Sequence, residues 1–327
     1  LRVLHIVRQF HPSVGGLENF VLALANQQHK DGLQAEVLTL DRLTHGPRVP
    51  LPKRDMVEGV PVRRVGSFGS AKYPLALGAL RHLRGFDLIH VHAVDFFCDY
   101  LALTSPLHGK PLILSTHGGF FHTGFARSFK KLFFATVTRL SLTRYDRVVA
   151  NSNNDLEIFQ HVAKRLVLIE NGVDTDKFAD LGSPTFTPSF MYIGRFSMNK
   201  GLNHMVDAFD LIAEEIPEAR LHIVGYDFDG LYPSLRDRIS GLHHGHAIEV
   251  HMGLSDEDMR EVIKTCSFFV SASEYEGFGQ TVVEAMSAGL LPIVNRIKSF
   301  EAIAGKTSVG LVTDFSDPAT AARDAVR

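Results

Sequence analysis

The chain has 327 residues, 45% hydrophobic and 21% charged, with a formal net charge of −2. That length exceeds a single hydrophobic core and implies two domains, while the composition excludes a disordered or low-complexity chain. No apolar run approaches the ~18 residues that span a bilayer, and the opening LRVLHIVRQF reads as a strand with two arginines rather than a signal peptide, so a cytoplasmic protein is expected.

Cys98 and Cys266 lie in apolar surroundings, DFFCDY and KTCSFF, and are expected as buried free thiols. The small net charge conceals an asymmetry. Residues 1–180 carry 22 Lys and Arg against 16 Asp and Glu, and residues 181–327 carry 12 against 20. No acidic residue occurs between Asp99 and Asp146, a window that holds Lys110, Arg127, Lys130, Lys131, Arg139 and Arg144.

In chain order, the first half gives apolar strands at 3–7, 35–40, 60–65, 87–91, 111–116, 146–150 and 166–170. Between the first two, LENFVLALANQQHKDG places Phe20, Leu24 and Gln27 on successive turns and stops at Gly32, as a helix with a glycine C-cap should. Residues 175–188 lack a periodic apolar face and hold two prolines, as a linker would. A second series of strands follows at 190–194, 219–225, 247–253, 267–273, 290–295 and 309–313, with an amphipathic helix from Gly201 to Glu215. Apolar strands alternating with helices predict parallel sheets covered on both faces. The expected organisation is a first domain over 1–174, the linker, and a second domain over 189–327. Two doubly wound halves would bind ligands in a crevice at the carboxyl ends of their strands.

Three constellations carry chemistry. Gly15 and Gly16 separate the first strand from the first helix, where free N–H groups and the helix dipole favour an anion. The spacing is not G-x-G-x-x-G, and taken alone the pair also fits a plain tight turn. In GRFSMNKGL, Arg195 follows a strand and Lys200 enters a helix. A planar fork and a point charge so placed suit a diphosphate whose leaving charge must be neutralised, although a solvated basic loop has the same look. In SASEYEGFGQTVVEAMSAGLLPIV, Glu276 and Glu284 are separated by seven residues, with Gly277 and Gly279 marking a tight loop. Glycine amides at a helix start can bind phosphate or sugar oxygens, and the carboxylates accept hydrogen bonds from vicinal diols. The blander possibility is that both glutamates cap and solvate a helix.

His90 and His92 alternate at a strand end and fit either a cleft edge or local packing. His243, His244 and His246 lack a carboxylate or cysteine at ligand spacing, so a polar loop is expected there. Asn171-Gly172 is a turn signature.

With the early Gly-Gly, THGG around His117, ENGVD at 170–174, G-R-F…K-G and E-x7-E, the chain resembles the retaining glycosyltransferases of family 4 over essentially its whole length. The resemblance implies an α/β GT-B fold, two Rossmann-like doubly wound domains facing each other across a cleft. It assigns Gly16, Arg195 and Lys200 to the donor diphosphate, with Gly15 beside them. Glu284 would take the nucleotide ribose, and Glu276 with the Phe278–Thr281 backbone, including Gly279 and Gln280, the donor hexose. His117 would stand beside the transferred sugar. Gln280 occupies a position usually hydrophobic or proline in the family, and GLLPIV is slightly expanded around the usual G-x-P. Relatives end with a helix that crosses back to the first domain, and the resemblance implies that this helix lies beyond the second domain's last residue here.

The opening VLHIVRQFHPSVGGLENFVLALA is most similar to α-mannosyltransferases of exopolysaccharide assembly. These imply GDP-mannose as donor substrate, a polyprenyl-diphosphate-linked acceptor and transfer with retention. No second carboxylate stands out as a nucleophile, so front-face attack is expected, with Arg195 and Lys200 in place of a metal and no cofactor. The stretch 123–142 can be read as a helix with Phe125, Phe129, Leu132, Phe133 and Thr136 on one face and Arg127, Lys130 and Lys131 on another. That pattern predicts peripheral binding to an anionic inner-membrane surface. Nucleic acid is not an expected partner. The rival classes are a transferase using a UDP-sugar and a soluble acceptor, an epimerase or phosphorylase on the same scaffold, and a non-catalytic sugar-nucleotide binding protein.

Overall fold

The computed structural model describes residues 1–13, 15–43, 49–70, 73–118 and 132–327. They divide into two units at Gly172/Val173.

In the first unit the strands are β1 (Arg2–Ile6), β2 (Gln34–Leu40), β3 (Arg54–Val57), β4 (Val60–Val65), β5 (Phe68–Ser70), β6 (Tyr73–Leu75), β7 (Leu88–His92), β8 (Leu112–Ser115), β9 (Arg147–Ala150) and β10 (Leu166–Leu168). Eight of them form one sheet in the order β10-β9-β8-β7-β1-β2-β4-β3. All neighbours in it are parallel except β3, which folds back antiparallel on β4. The seven strands expected from the apolar runs are all present. The sequence signal missed β3 and the small β5/β6 hairpin, because these strands have little buried surface and therefore no apolar pattern.

Helix α1 (Gly16–Lys30) covers one face of this sheet with Val21, Leu22 and Ala25, which pack with Val7, Val37 and Val62. The opposite face carries Leu4, Ile6, Ile89 and Leu114 against α2 (Phe96–Leu103), whose Asp95 cap accepts from the Phe97 N–H. Further α-helices among the described residues are α3 (Ser105–His108), α4 (Arg139–Leu142) and α5 (Asn153–Phe159).

The second unit has β11 (Ser189–Phe196), β12 (Arg220–Asp227), β13 (Ile248–Met252), β14 (Phe268–Ser271), β15 (Leu291–Asn295) and β16 (Leu311–Thr313). They form a parallel sheet in the order β13-β12-β11-β14-β15-β16, matching the six expected strands. Its helices are α6 (Leu202–Glu215), α7 (Tyr232–Ser240), α8 (Asp256–Ile263), α9 (Gln280–Ser287), α10 (Lys298–Thr307) and α11 (Pro318–Val326). Burying both faces of a parallel sheet accounts for the near-continuous apolar runs. Helix α6 packs Met205, Phe209 and Ile212 on one face, and α9 packs Val282 and Ala285 on the other.

The segment 175–188, expected as a linker, is part of the second unit. Phe178 is buried with Met191, Cys266 and Val282. The backbone is held by Gly182 N–H to the Ala288 carbonyl (2.6 Å) and Ser183 N–H to the Cys266 carbonyl (3.0 Å). Irregular chain tied by such bonds leaves no periodic trace in sequence. Cys98 and Cys266 are buried and free, as expected.

Candidate functional site

In the first unit, His117 follows β8 with a left-handed φ of +47°. Its backbone N–H donates to Asn151 Oδ1 (3.2 Å), and on either side the Thr116 hydroxyl (2.6 Å) and Gly118 N–H (2.9 Å) both donate to Asp155 Oδ2. The turn that aims the imidazole is therefore fixed by Asn151, just after β9, and by Asp155 in the first turn of α5. The edge of the Phe20 ring packs against His117 with centroids 4.9 Å apart.

Strand pairing then joins His117 to other histidines. His5 on β1 stands opposite His90 on β7, and the two-residue strand period brings His92 to the same face. Gln28 Oε1 lies 2.8 Å from His5 Nε2, His5 Nδ1 lies 3.0 Å from His92 Nε2, and His92 Nδ1 lies 3.1 Å from His117 Nε2. His90 leaves this chain and pairs with the Ser115 hydroxyl at 2.9 Å.

Burial lowers the pKa of His5 to about 4 and of His117 to about 3, and drives His90 and His92 well below the usual range. All four are neutral at physiological pH, each with one N–H. Since Gln28 Oε1 can only accept, His5 holds its proton on Nε2 and accepts at Nδ1 from His92 Nε2–H. His92 Nδ1 then accepts from His117 Nε2–H, and His117 keeps a lone pair on Nδ1. The sequence left His90 and His92 open between cleft edge and packing, and gave no sign of His5 or Gln28. Only the β1/β7 register and the fold of α1 over it bring them together.

Gly15 caps α1 and Gly16 is its first residue. The Glu18 carboxylate already faces that turn, so a Cβ on Gly15 would stand 2.7 Å from Glu18 Oε2. An acid there complements the positive helix end. Any anion drawn to these amides shares the turn with Glu18, which the glycine pattern did not reveal.

In the second unit, Arg195 ends β11 with its guanidinium 4.6 Å over the Phe228 ring. Lys200 closes a 3-10 turn, Met198–Lys200, ahead of Gly201. Gly201 has φ +61°, and a Cβ there would run into the Ala272 carbonyl oxygen, so the loop after β11 lies directly on the loop after β14. Asn199 ties the two further, its carbonyl accepting from the Glu274 N–H (2.9 Å) and its amide donating to the Tyr275 carbonyl (3.1 Å). This contact sets Lys200 Nζ 2.5 Å from Glu276 Oε1, with side chains only 13% and 17% exposed. The Ser273 hydroxyl donates to the same oxygen (2.9 Å). Glu276 Oε2 has no hydrogen-bond partner among the described residues.

Gly277 and Phe278 are half-buried in the following loop. Gly279 caps α9 with φ +98°, a conformation that demands glycine, and a Cβ would also crowd the Phe300 and Ile303 side chains at 3.1 Å. Gln280 and Thr281 open α9, and Glu284 lies one turn further along it, half-buried. Burial raises the Glu284 pKa. Lys177 opposes that shift, while Asp174 and Asp256 add to it. Lys177 is itself paired with Asp256 at 2.8 Å. Ser273, Lys177, Asp174 and Asp256 come from separate segments of the chain, so no local pattern marks them as neighbours of the E-x7-E carboxylates.

Arg127, Lys130 and Lys131 lie outside the described residues, as do Phe125 and Phe129. Of the expected apolar face, Leu132 and Thr136 are exposed and Phe133 is half-buried, whereas Phe134, which was not on that face, packs into the core against Phe159 (5.2 Å). A π-helical turn at Phe134–Thr138, ahead of α4, shifts which residues face inward. Among the described residues no helix is long and apolar enough to cross a membrane.

Residues 14–177 match the Glycosyltransferase Family 4 model, and residues 173–326 match Glycosyl transferases group 1. The GDP-mannose:cellobiosyl-diphosphopolyprenol alpha-mannosyltransferase of Xanthomonas oryzae pv. oryzae is 43% identical over 330 residues, covering 100% of this chain and 87% of the relative. The protein of the same description from Komagataeibacter xylinus is 43% identical over 327 residues, covering 99% and 83%. Among solved structures, the sucrose-phosphate synthase of Thermosynechococcus elongatus superposes with a TM-score of 0.77 at 19% identity, covering 99% of this chain and 88% of that one. Two largely parallel sheets carrying the Arg195–Lys200 loop, the E-x7-E carboxylates and the half-buried His117, with full-length relatives at this identity, place the chain in glycosyltransferase family 4, with the GT-B fold of two Rossmann-like domains.

Proposed function

We propose that the enzyme transfers mannose from GDP-mannose to a polyprenyl-diphosphate-linked saccharide with retention of configuration. The observation that carries this reading is the full-length identity of 43% to relatives described by that reaction. Arg195 and Lys200 bind the donor diphosphate, Glu284 takes the ribose hydroxyls, and Glu276 with the amides from Gly277 to Thr281 holds the hexose. Gly15 and Gly16 at the start of α1 offer backbone amides to an anion of the donor.

The bond from the anomeric carbon to the phosphate oxygen breaks as the acceptor oxygen bonds to the same face. The acceptor proton passes to the departing phosphate. Negative charge develops on the leaving oxygen, where Arg195 and Lys200 serve in place of a metal, each contact contributing roughly 2.7–4 kcal/mol. Burial keeps His117 uncharged, so it adds no repulsion to the oxocarbenium-like sugar and presents a hydrogen-bond acceptor instead. The enzyme works at the inner membrane face, to which Arg127, Lys130 and Lys131 attract anionic lipid. The acid-free window from Asp99 to Asp146 and the exposed Leu132, Val137 and Leu140 support that placement.

Incubation with radiolabelled GDP-mannose and a cellobiosyl-diphosphopolyprenol acceptor tests the reaction. GDP release and α-linked mannosyl lipid are expected only with both substrates. Transfer from a UDP-sugar to a soluble disaccharide at equal or greater efficiency would overturn the assignment. Sedimentation with anionic liposomes at low salt, lost when the three basic residues become serine, tests the membrane contact.

A further inference from the structure

At the outer edge of the second sheet, β12 and β13 place three metal-ligating side chains on one face. Glu249 stands opposite His222, and His251 returns to the same face two residues on, opposite Val224. The atoms His222 Nδ1, His251 Nε2 and Glu249 Oε2 form a triangle with sides of 3.2 Å between the two nitrogens and 3.5 Å from the carboxylate to each of them. A tetrahedral zinc ion with bonds of about 2.0–2.1 Å separates its ligand atoms by roughly 3.3–3.4 Å. The three atoms therefore already occupy three corners of such a site.

The two imidazoles are hydrogen-bonded to each other at 3.2 Å, but hydrogen bonding leaves the carboxylate corner unexplained. The carboxylate oxygen is equidistant from both nitrogens and, at 3.5 Å, at the outer limit for a hydrogen bond to either. Glu249 is 60% exposed, which gives an ion a path from solvent, whereas the two imidazoles are partly withdrawn from it. The other histidine group, His5, His90 and His92, differs. It holds no carboxylate, and its ring nitrogens are engaged at 2.8–3.1 Å with Gln28, Ser115, His117 and one another.

We propose that His222, His251 and Glu249 bind a zinc-class divalent ion, with water in the fourth position, and that the ion pins edge strand β13 to β12. Two imidazoles and a carboxylate are a common protein ligand set for zinc. Among the described residues β13 has a neighbour on one side only, so a clip across the β12/β13 pair acts where the sheet is most open to fraying. The loops bearing Lys200 and Glu276 follow β11 and β14, so this site is separate from them, and the inference stands whichever sugar the enzyme transfers.

The full-length protein, freed of metal by chelator and dialysis, is titrated with Zn²⁺ by calorimetry and with Co²⁺ by visible absorption. One equivalent of Zn²⁺, the intense visible bands of tetrahedral Co²⁺ and a higher melting temperature with Zn²⁺ are expected. Glu249→Gln changes an exposed side chain and leaves the apo fold intact, as circular dichroism would show. It should weaken Zn²⁺ binding by about tenfold or more, and His251→Gln should abolish the cobalt bands. Absence of stoichiometric binding, or binding unchanged in both variants, overturns the proposal.

Discussion

Replacing Lys200 by methionine separates its two roles. Methionine keeps most of the apolar stem but removes the charge that lies 2.5 Å from Glu276 Oε1. Glu276 is then left with the Ser273 hydroxyl alone among the described residues. Removing one partner of a buried pair costs about 3–5 kcal/mol, and the remaining 13% and 17% exposure places this pair near the lower figure. The double variant Lys200→Met/Glu276→Gln strands no charge and should recover most of that loss. Turnover should not recover, because the cation that meets the leaving diphosphate is absent from both proteins, a deficit of about 10²–10³ in kcat. Urea midpoints and GDP release at saturating donor measure the two effects side by side. If the double variant regains turnover together with stability, neither Lys200 nor Glu276 has the role in transfer assigned to it. If Lys200→Met alone keeps kcat within about threefold of the parent, the leaving-group role is refuted.

Glu284→Ala should weaken nucleotide binding, whereas Glu276→Ala should chiefly lower kcat, since a ribose contact acts equally in ground and transition states. Equal effects on KM alone would show the carboxylates to be misassigned. Nucleotide affinity should be full above the raised Glu284 pKa and fall as pH drops through it, because only the carboxylate accepts from both ribose hydroxyls. Calorimetry with GDP against pH should show that fall, and Glu284→Gln should remove it; a fall that persists in the variant refutes the assignment. Initial rates of transfer, measured well below the melting temperature, should survive excess EDTA even where the melting temperature drops through loss of an ion at β13. A rate lost with EDTA and restored by Mg²⁺ or Mn²⁺ would remove the case for Arg195 and Lys200 as the leaving-group cations. Gln28→Leu should release the His117 tautomer, changing its ratio by about fivefold for one hydrogen bond of ~1 kcal/mol. Long-range proton–nitrogen spectra of His117 check this without any substrate, and an unchanged tautomer would refute the relay.

The amino-acid sequence by itself determined the strands that are buried on both faces, because a parallel sheet sandwiched by helices needs unbroken apolar runs. It also determined the motif residues, since Glu276 and Glu284 share one loop and its helix, and Gly279 must be glycine for its φ of +98°. What periodicity cannot report is which strand lies beside which, or in what register. Exposed β3, the β5/β6 hairpin and the irregular run around Phe178 bury too little in a regular pattern to leave a trace. Lys200 and Glu276 are 76 residues apart, and close contact between the β11 and β14 loops at Gly201 makes them a pair. His5 and His92 are 87 apart, and the β1/β7 register joins them. His222 and His251 are 29 apart, with no ligand-spacing motif, and the β12/β13 register alone sets them and Glu249 on one face. In each case the chemistry depends on separations of about 3 Å across strands or loops, a scale that tertiary packing fixes and local sequence does not encode.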